Sequence, residues 1–332
     1  MKNKFSQLEK LIGNTPLLKI TFKYQDKLLK VYAKAEYYNL TGSIKDRIAL
    51  NILKKAYENK SLKQGDIITE VTSGNTGISF CALGAYLGHK VVIYMPDWLS
   101  KERQGLMKLY GAELRLVSKA DGGFRGSLKM AEEFAKQGNV FCPLQFDNED
   151  NTDAHFSTTA VEIHRQVNAF DQRVDAVVAG VGTGGTIMGL NKYFKPKRIR
   201  CHPLEPASSP TLSTGHKVGS HRIEGISDEF IPSIVRLKEL DSIVAVDDGD
   251  SICMAKMLSA KLGLGVGISS GANFLGALKL ILESGNDNYN VVTLFSDNSK
   301  KYLSTALCSA DEPIKDDWLS KDVELLSFEV VR

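Results

Sequence analysis

Apolar positions along this chain fall into short runs that alternate between two spacings. Residues 28–36, 67–71, 90–95, 113–117, 141–146, 174–179, 199–204, 243–246 and 290–295 are brief and mostly apolar, many of them β-branched, as strands of a covered sheet are. Between them, residues 47–57, 78–87, 100–110, 126–136, 153–167, 250–262 and 271–283 read as helices, as do 5–11 and the stretch ending at Phe194. Gly13-Asn14-Thr15-Pro16 is turn chemistry, and Gly65 resets the pattern. Strand and helix in alternation predict an α/β fold in two lobes, with a mostly parallel sheet covered on both faces.

Composition narrows the function classes. With 332 residues, 43% of them hydrophobic, the chain can bury a full core. Lys+Arg 42 against Asp+Glu 39 is too balanced for a nucleic-acid or membrane surface, so a small-molecule substrate is expected. The five cysteines are odd in number and scattered, which argues against a disulfide framework or a structural metal site. The opening residues lack the apolar segment of a signal peptide and no run of 18 apolar residues occurs, so a cytoplasmic location is expected.

Three stretches carry chemistry. Lys45 stands in Ser43-Ile44-Lys45-Asp46-Arg47, among small and hydroxyl residues at a helix entrance. A lysine so placed is open to desolvation, which turns its amine into a nucleophile for an aldehyde. The strand 67–71 runs into Thr72-Ser73-Gly74-Asn75-Thr76-Gly77 and then a helix, a layout that points hydroxyls and N–H groups at an anion. A second such turn, Gly180-Val181-Gly182-Thr183-Gly184-Gly185-Thr186, follows the strand 174–179. Gly180, Gly182 and Gly185 fit the dinucleotide fingerprint, with Glu205 placed 20 residues on, so an NAD-dependent oxidoreductase is one rival reading. The turn lies deep in the chain, however, and Thr183 and Thr186 add hydroxyls suited to a monophosphate. A reactive lysine and a monophosphate cradle together suggest pyridoxal 5'-phosphate (PLP). Ser269, in Gly267-Ile268-Ser269-Ser270-Gly271-Ala272, is a candidate partner for the pyridine nitrogen, placed by its pattern at a strand end. A neutral hydroxyl there makes the ring a weaker electron sink, favouring β-elimination over transamination.

These motifs, with Gly13-Asn14-Thr15-Pro16 and Lys301-Tyr302-Leu303-Ser304-Thr305, occur in an order that resembles the cysteine synthase and cystathionine β-synthase family over roughly residues 5–305. The resemblance implies a two-lobed PLP enzyme of fold type II and a homodimer. Residues 1–40 and 151–310 would then form a large lobe and 41–150 a small mobile lobe, with 311–332 a tail of no assigned role. It implies β-replacement or β-elimination on cysteine-like amino acids through an aminoacrylate, typically O-acetylserine and sulfide giving cysteine. Lys45 matches the Schiff-base lysine and acid–base, Asn75 the partner of the cofactor's ring oxygen, and Gly182, Thr183, Gly184, Gly185 and Thr186 the phosphate loop. Ser269 keeps its place at the pyridine nitrogen, and Thr72, Ser73, Thr76 and Gln145 match the clamp for the substrate α-carboxylate. His155, in a stretch shared with the family, reads as structural.

The chain departs from the family in the loop opened by Gly225, which in this family faces the substrate. Cysteine synthases carry small uncharged residues there, whereas this chain has Asp228, with Lys217 and Arg222 as cations near enough in sequence to pair with it. Asp228 as general base for water would make the enzyme a cysteine desulfhydrase, yielding hydrogen sulfide and L-serine. A catalytically silent scaffold is the remaining class, and the intact Lys45 argues against it.

Overall fold

The computed structural model describes residues 1–332 except Ser73, Leu99, Asp228 and 310–312. Its strands are β1 (Leu17–Tyr24), β2 (Lys27–Ala35), β3 (Ile67–Val71), β4 (Val91–Pro96), β5 (Glu113–Val117), β6 (Val140–Phe141), β7 (Ala176–Gly180), β8 (Arg200–Pro206), β9 (Val244–Val246), β10 (Val291–Phe295) and β11 (Val323–Val331). They form a seven-stranded sheet, β11-β1-β2-β10-β7-β8-β9, and a four-stranded sheet, β5-β4-β3-β6. The smaller sheet is parallel throughout. In the larger one β1 runs antiparallel to both β2 and β11 and the other pairings are parallel. This is the mixed α/β architecture the alternating pattern predicts.

Both sheets are covered on both faces. Along β7, Ala176 and Val178 enter one core cluster and Val177 and Ala179 another. Along β4, Ile93 and Met95 divide from Val92 and Tyr94 in the same way. A strand buried on both sides cannot alternate with polar residues, which is why these segments read as continuous apolar runs. The central helix Ile268–Ser284 packs Phe274 on Phe22 of β1, ring centroids 5.0 Å apart. Burying such a side chain is worth about 1.5–3 kcal/mol.

Five elements differ from the sequence pattern. β1 and β11 are not evident in it; β1 joins β2 through a two-residue turn in which Gln25 takes φ 53°. The strand expected over 141–146 stops at Phe141, because Pro143 has no N–H to give and Leu144 turns to φ 55°. The helix expected over 153–167 contains a π-helical turn, His155–Thr159. The central helix begins at Ile268, so Ser269 lies in its first turn, not at a strand end. Among the described residues no helix is long and apolar enough to cross a membrane.

Candidate active site

Lys45 opens the helix Lys45–Glu58 and is half-buried on the wall of a cleft between the two sheets. Its neighbours fix it by turning elsewhere. Asp46 is buried and accepts from Thr41 N, Thr41 Oγ1 and Ser79 Oγ, each at 2.6 Å. Arg47 donates through Nε and Nη2 to Glu36 at 2.6 and 2.8 Å, and through Nη1 and Nη2 to Glu162 at 2.8 and 2.7 Å. Lys34 completes this buried cluster, 2.7 Å from Glu162. Just upstream, Gly42 takes φ 79° where any Cβ would strike the Asn298 amide, and Ile44 N bonds Ser296 O at 2.9 Å. The segment before Lys45 is thus tied to the one after β10.

Asn75 begins the helix Asn75–Leu87, three residues earlier than its apolar pattern, and lines the same cleft. Thr72 and Thr76 line it too, both buried, and Thr72 Oγ1 accepts from Gly74 N at 3.1 Å. Ser73 lies outside the described residues. Gln145 also reaches the cleft, but its Nε2 donates to Val71 O at 2.8 Å. Its backbone N–H donates to Glu70, whose carboxyl burial pushes up to about 8.

The turn from β7 into the helix Gly185–Phe194 brings Gly182, Thr183 and Thr186 to the cleft. Gly184 takes φ 86°, a Cβ on Gly182 would strike Gly225 O, and one on Gly185 the Asn151 amide, so this turn is moulded to glycine. Asn151 Nδ2 holds Thr183 Oγ1 at 2.9 Å. His155, buried, bonds Thr159 Oγ1 at 2.9 Å and Thr186 Oγ1 at 3.2 Å. Burial, with the charges of Arg47 and Lys45, pushes its pKa well below the ordinary value and keeps it neutral. It supports the turn from behind. Ser269 and Gly225 complete the wall, and Ser227 N donates to Val181 O at 2.7 Å. Asp228 itself lies outside the described residues. Among the described residues, Lys217 pairs with Glu229 at 3.2 Å and Arg222 with Asp248 at 3.1 Å. Glu205 accepts from Leu212 N at 2.7 Å and also from the Ser213 hydroxyl. That carboxylate is spent on a helix start, which removes the acidic partner from the dinucleotide fingerprint.

Residues 8–297 match the family described as pyridoxal-phosphate dependent enzymes. A probable cysteine synthase from Bacillus subtilis is 41% identical over 302 residues, covering 90% of this chain and 96% of that one. The chain belongs to the cysteine synthase and cystathionine β-synthase family. It is a PLP-dependent enzyme, and its reaction class is β-replacement and β-elimination. The crystal structure of a hydrogen sulfide-producing enzyme from Fusobacterium nucleatum superposes with a TM-score of 0.96 at 51% identity, covering 100% of both chains. A mutant of a hydrogen sulfide-producing enzyme, crystallised with an α-aminoacrylate intermediate, gives 0.96 at 52% identity over 99% of each chain.

The cleft fits the family's cofactor. The Lys45 amine, the Asn75 amide, the Thr183 and Thr186 hydroxyls at a glycine turn and the Ser269 hydroxyl converge on a single cavity. Sequence reasoning did not find the other side of that cavity. Arg103, from the helix Lys101–Leu109, forms an ion pair with Glu224 and stacks 4.8 Å from the centroid of the Tyr302 ring. Tyr302 Oη donates to Asp297 at 2.6 Å. Lys301 Nζ donates to Asn75 Oδ1 at 2.8 Å and to Gly42 O at 3.3 Å, and burial lowers its pKa against the pull of Asp297 and Asp46. The motif at 301–305 was visible in the sequence and carried no role; Arg103 and Glu224 had no signal.

Proposed function

We propose that the cleft carries out β-replacement on a cysteine-like amino acid, with Lys45 as the group that holds the cofactor's aldehyde carbon and moves the α-proton. The observation that carries this is the convergence of Lys45, Asn75, Thr183, Thr186 and Ser269 on one cavity. Bound there, PLP supplies the electron sink that lets the α-proton and then the β-substituent leave. The turn 182–186 holds the phosphate, with Gly184 and Gly185 giving backbone and Thr183 and Thr186 hydroxyls. Asn75 faces the ring oxygen and Ser269 the pyridine nitrogen. Thr72, Ser73, Thr76 and Gln145 take the α-carboxylate, favoured by the helix N-terminus beside them. In the same reading residues 41–150 are the mobile lobe, the protein is a homodimer, and its five free cysteines suit the cytoplasm.

A second reading of the nucleophile is favoured by the full-length likeness to a hydrogen sulfide-producing enzyme. Water would then replace sulfide, so that cysteine and water give serine and hydrogen sulfide, with Asp228 as the base that takes the water proton. Such a base is worth about 10²–10⁴-fold in rate. The test is to incubate the pure holoenzyme with cysteine alone and identify the products. Serine with stoichiometric sulfide, lost in Asp228→Asn, supports the water reading. No serine from cysteine, with rapid cysteine formation from O-acetylserine and sulfide, leaves cysteine synthesis as the function. Inactivity in both assays overturns the proposal.

A further inference from the structure

The Asn75 amide is held from both ends by fully buried charged residues that lie on one segment after β10. Its Oδ1 accepts from Lys301 Nζ at 2.8 Å, and its Nδ2 donates to Asp297 Oδ2 at 2.7 Å. Lys301 and Asp297 are 2% and 0% exposed. An ammonium can only donate and a carboxylate can only accept. Turning the amide over would set its NH2 against the ammonium and its oxygen against the carboxylate, two buried repulsions at once. The amide therefore has one orientation. One of its two Nδ2 hydrogens is spent on Asp297, and the other remains for the cleft that Asn75 lines with Lys45.

The two arms of this clamp are themselves fixed. Asp297 Oδ2 also accepts from Tyr302 Oη at 2.6 Å, and Oδ1 is packed against Gly267, where a Cβ would strike it. Lys301 Nζ reaches Gly42 O at 3.3 Å, so the same ammonium holds the strand of chain that leads into Lys45.

We infer that Lys301 and Asp297 are positioning residues that lock the Asn75 amide with an N–H toward the cofactor's ring oxygen, and so set how far that oxygen is held as an anion. This rests on the reading of Asn75 as the partner of the ring oxygen. A hydrogen bond into that oxygen favours the form of the bound cofactor that absorbs near ~410 nm over the form near ~330 nm.

The test is the resting absorbance spectrum of the holoenzyme for Lys301→Met, the isosteric Asp297→Asn, Asn75→Ala and the double variant Lys301→Met/Asn75→Ala. Cofactor content and the melting temperature of the cofactor-free protein are measured beside it. Asn75→Ala is expected to lower the ratio of the two bands about fivefold, the loss of one hydrogen bond. Whichever of Lys301→Met and Asp297→Asn folds with full cofactor should move the ratio the same way, and the double variant should add nothing to Asn75→Ala. If Asn75→Ala moves the ratio while both clamp variants leave it unchanged, the clamp is wrong and the reading of Asn75 survives. A further shift in the double variant would show that Lys301 acts by another route, which also overturns it. If Asn75→Ala itself leaves the spectrum unchanged, Asn75 does not face the ring oxygen and the inference falls with that reading.

Discussion

Arg47 shows how much of this site is held by residues that never face it. Burial pushes the Glu162 carboxyl up, but the Arg47 hydrogen bonds and charge, with Lys34, hold it at about 2 against an ordinary 4.5. A carboxyl lowered on folding contributes stability that is fully present above its unfolded value, here worth about 3 kcal/mol, and loses it as pH falls from about 4.5 to about 2. Arg47→Leu leaves Glu36 in the interior without its ion pair and Glu162 with Lys34 alone, and is expected to cost about 3–5 kcal/mol near neutral pH. That penalty should shrink in acid as the two carboxylates protonate, which denaturant titrations of the cofactor-free protein at two pH values would show. Gly184 gives a sharper residue-scale test. Its φ is 86° and a Cβ there would strike Val235, whereas Gly215, at φ 81°, has nothing within 4 Å. Each Gly→Ala change should cost about 1–2 kcal/mol for the left-handed backbone. Gly184→Ala should in addition shed cofactor on dialysis, and Gly215→Ala should retain it.

Among the elements, β11 is the one whose character changes most between sequence and structure. Residues 311–332 read as a tail of no assigned role, yet Val323–Val331 pairs along the whole of β1 and forms the edge strand of the large sheet. Val323 and Leu325 enter the core that contains Phe22 and Phe274, while Leu326 stays 41% exposed. Leu325→Ala is therefore expected to cost about 2–4 kcal/mol. Leu326→Ala should stay within about 1 kcal/mol, and the two melting temperatures check the register. The π-helical turn His155–Thr159 is the second such element. It lets one helix send His155 to the glycine turn at 182–186 and Thr158 to Arg47, 3.0 Å away, so it braces that turn and the lysine helix together.

Across the whole molecule the cleft is closed by contacts between the two sheets. Arg103 comes from the helix after β4, and its partners Glu224 and Tyr302 belong to loops on the large sheet. Arg103→Met removes the charged half of this bridge. The KM for the amino-acid substrate is expected to rise about tenfold, the equivalent of about 1.4 kcal/mol of lost closure. Steady-state kinetics at saturating PLP measure it, and an unchanged KM would show that the bridge plays no part in binding.

The sequence alone determined what depends on near neighbours. Short apolar runs set strands that are buried on both faces, glycines set turns with positive φ, and Lys45, Asn75, Thr183 and Thr186 could be named because each stands beside a strand-to-helix turn. What it left open depends on residues far apart in the chain. Asn75 meets Asp297 across 222 positions and Lys301 across 226, and Arg47 meets Glu162 across 115. β1 and β11 owe their pairing to an edge that exists only once the sheet has formed. Burial is the physical reason in each case. A lysine, an arginine or a carboxylate carries no local sign of whether water or another charge will satisfy it, and tertiary packing decides that by bringing the opposite group within hydrogen-bond reach.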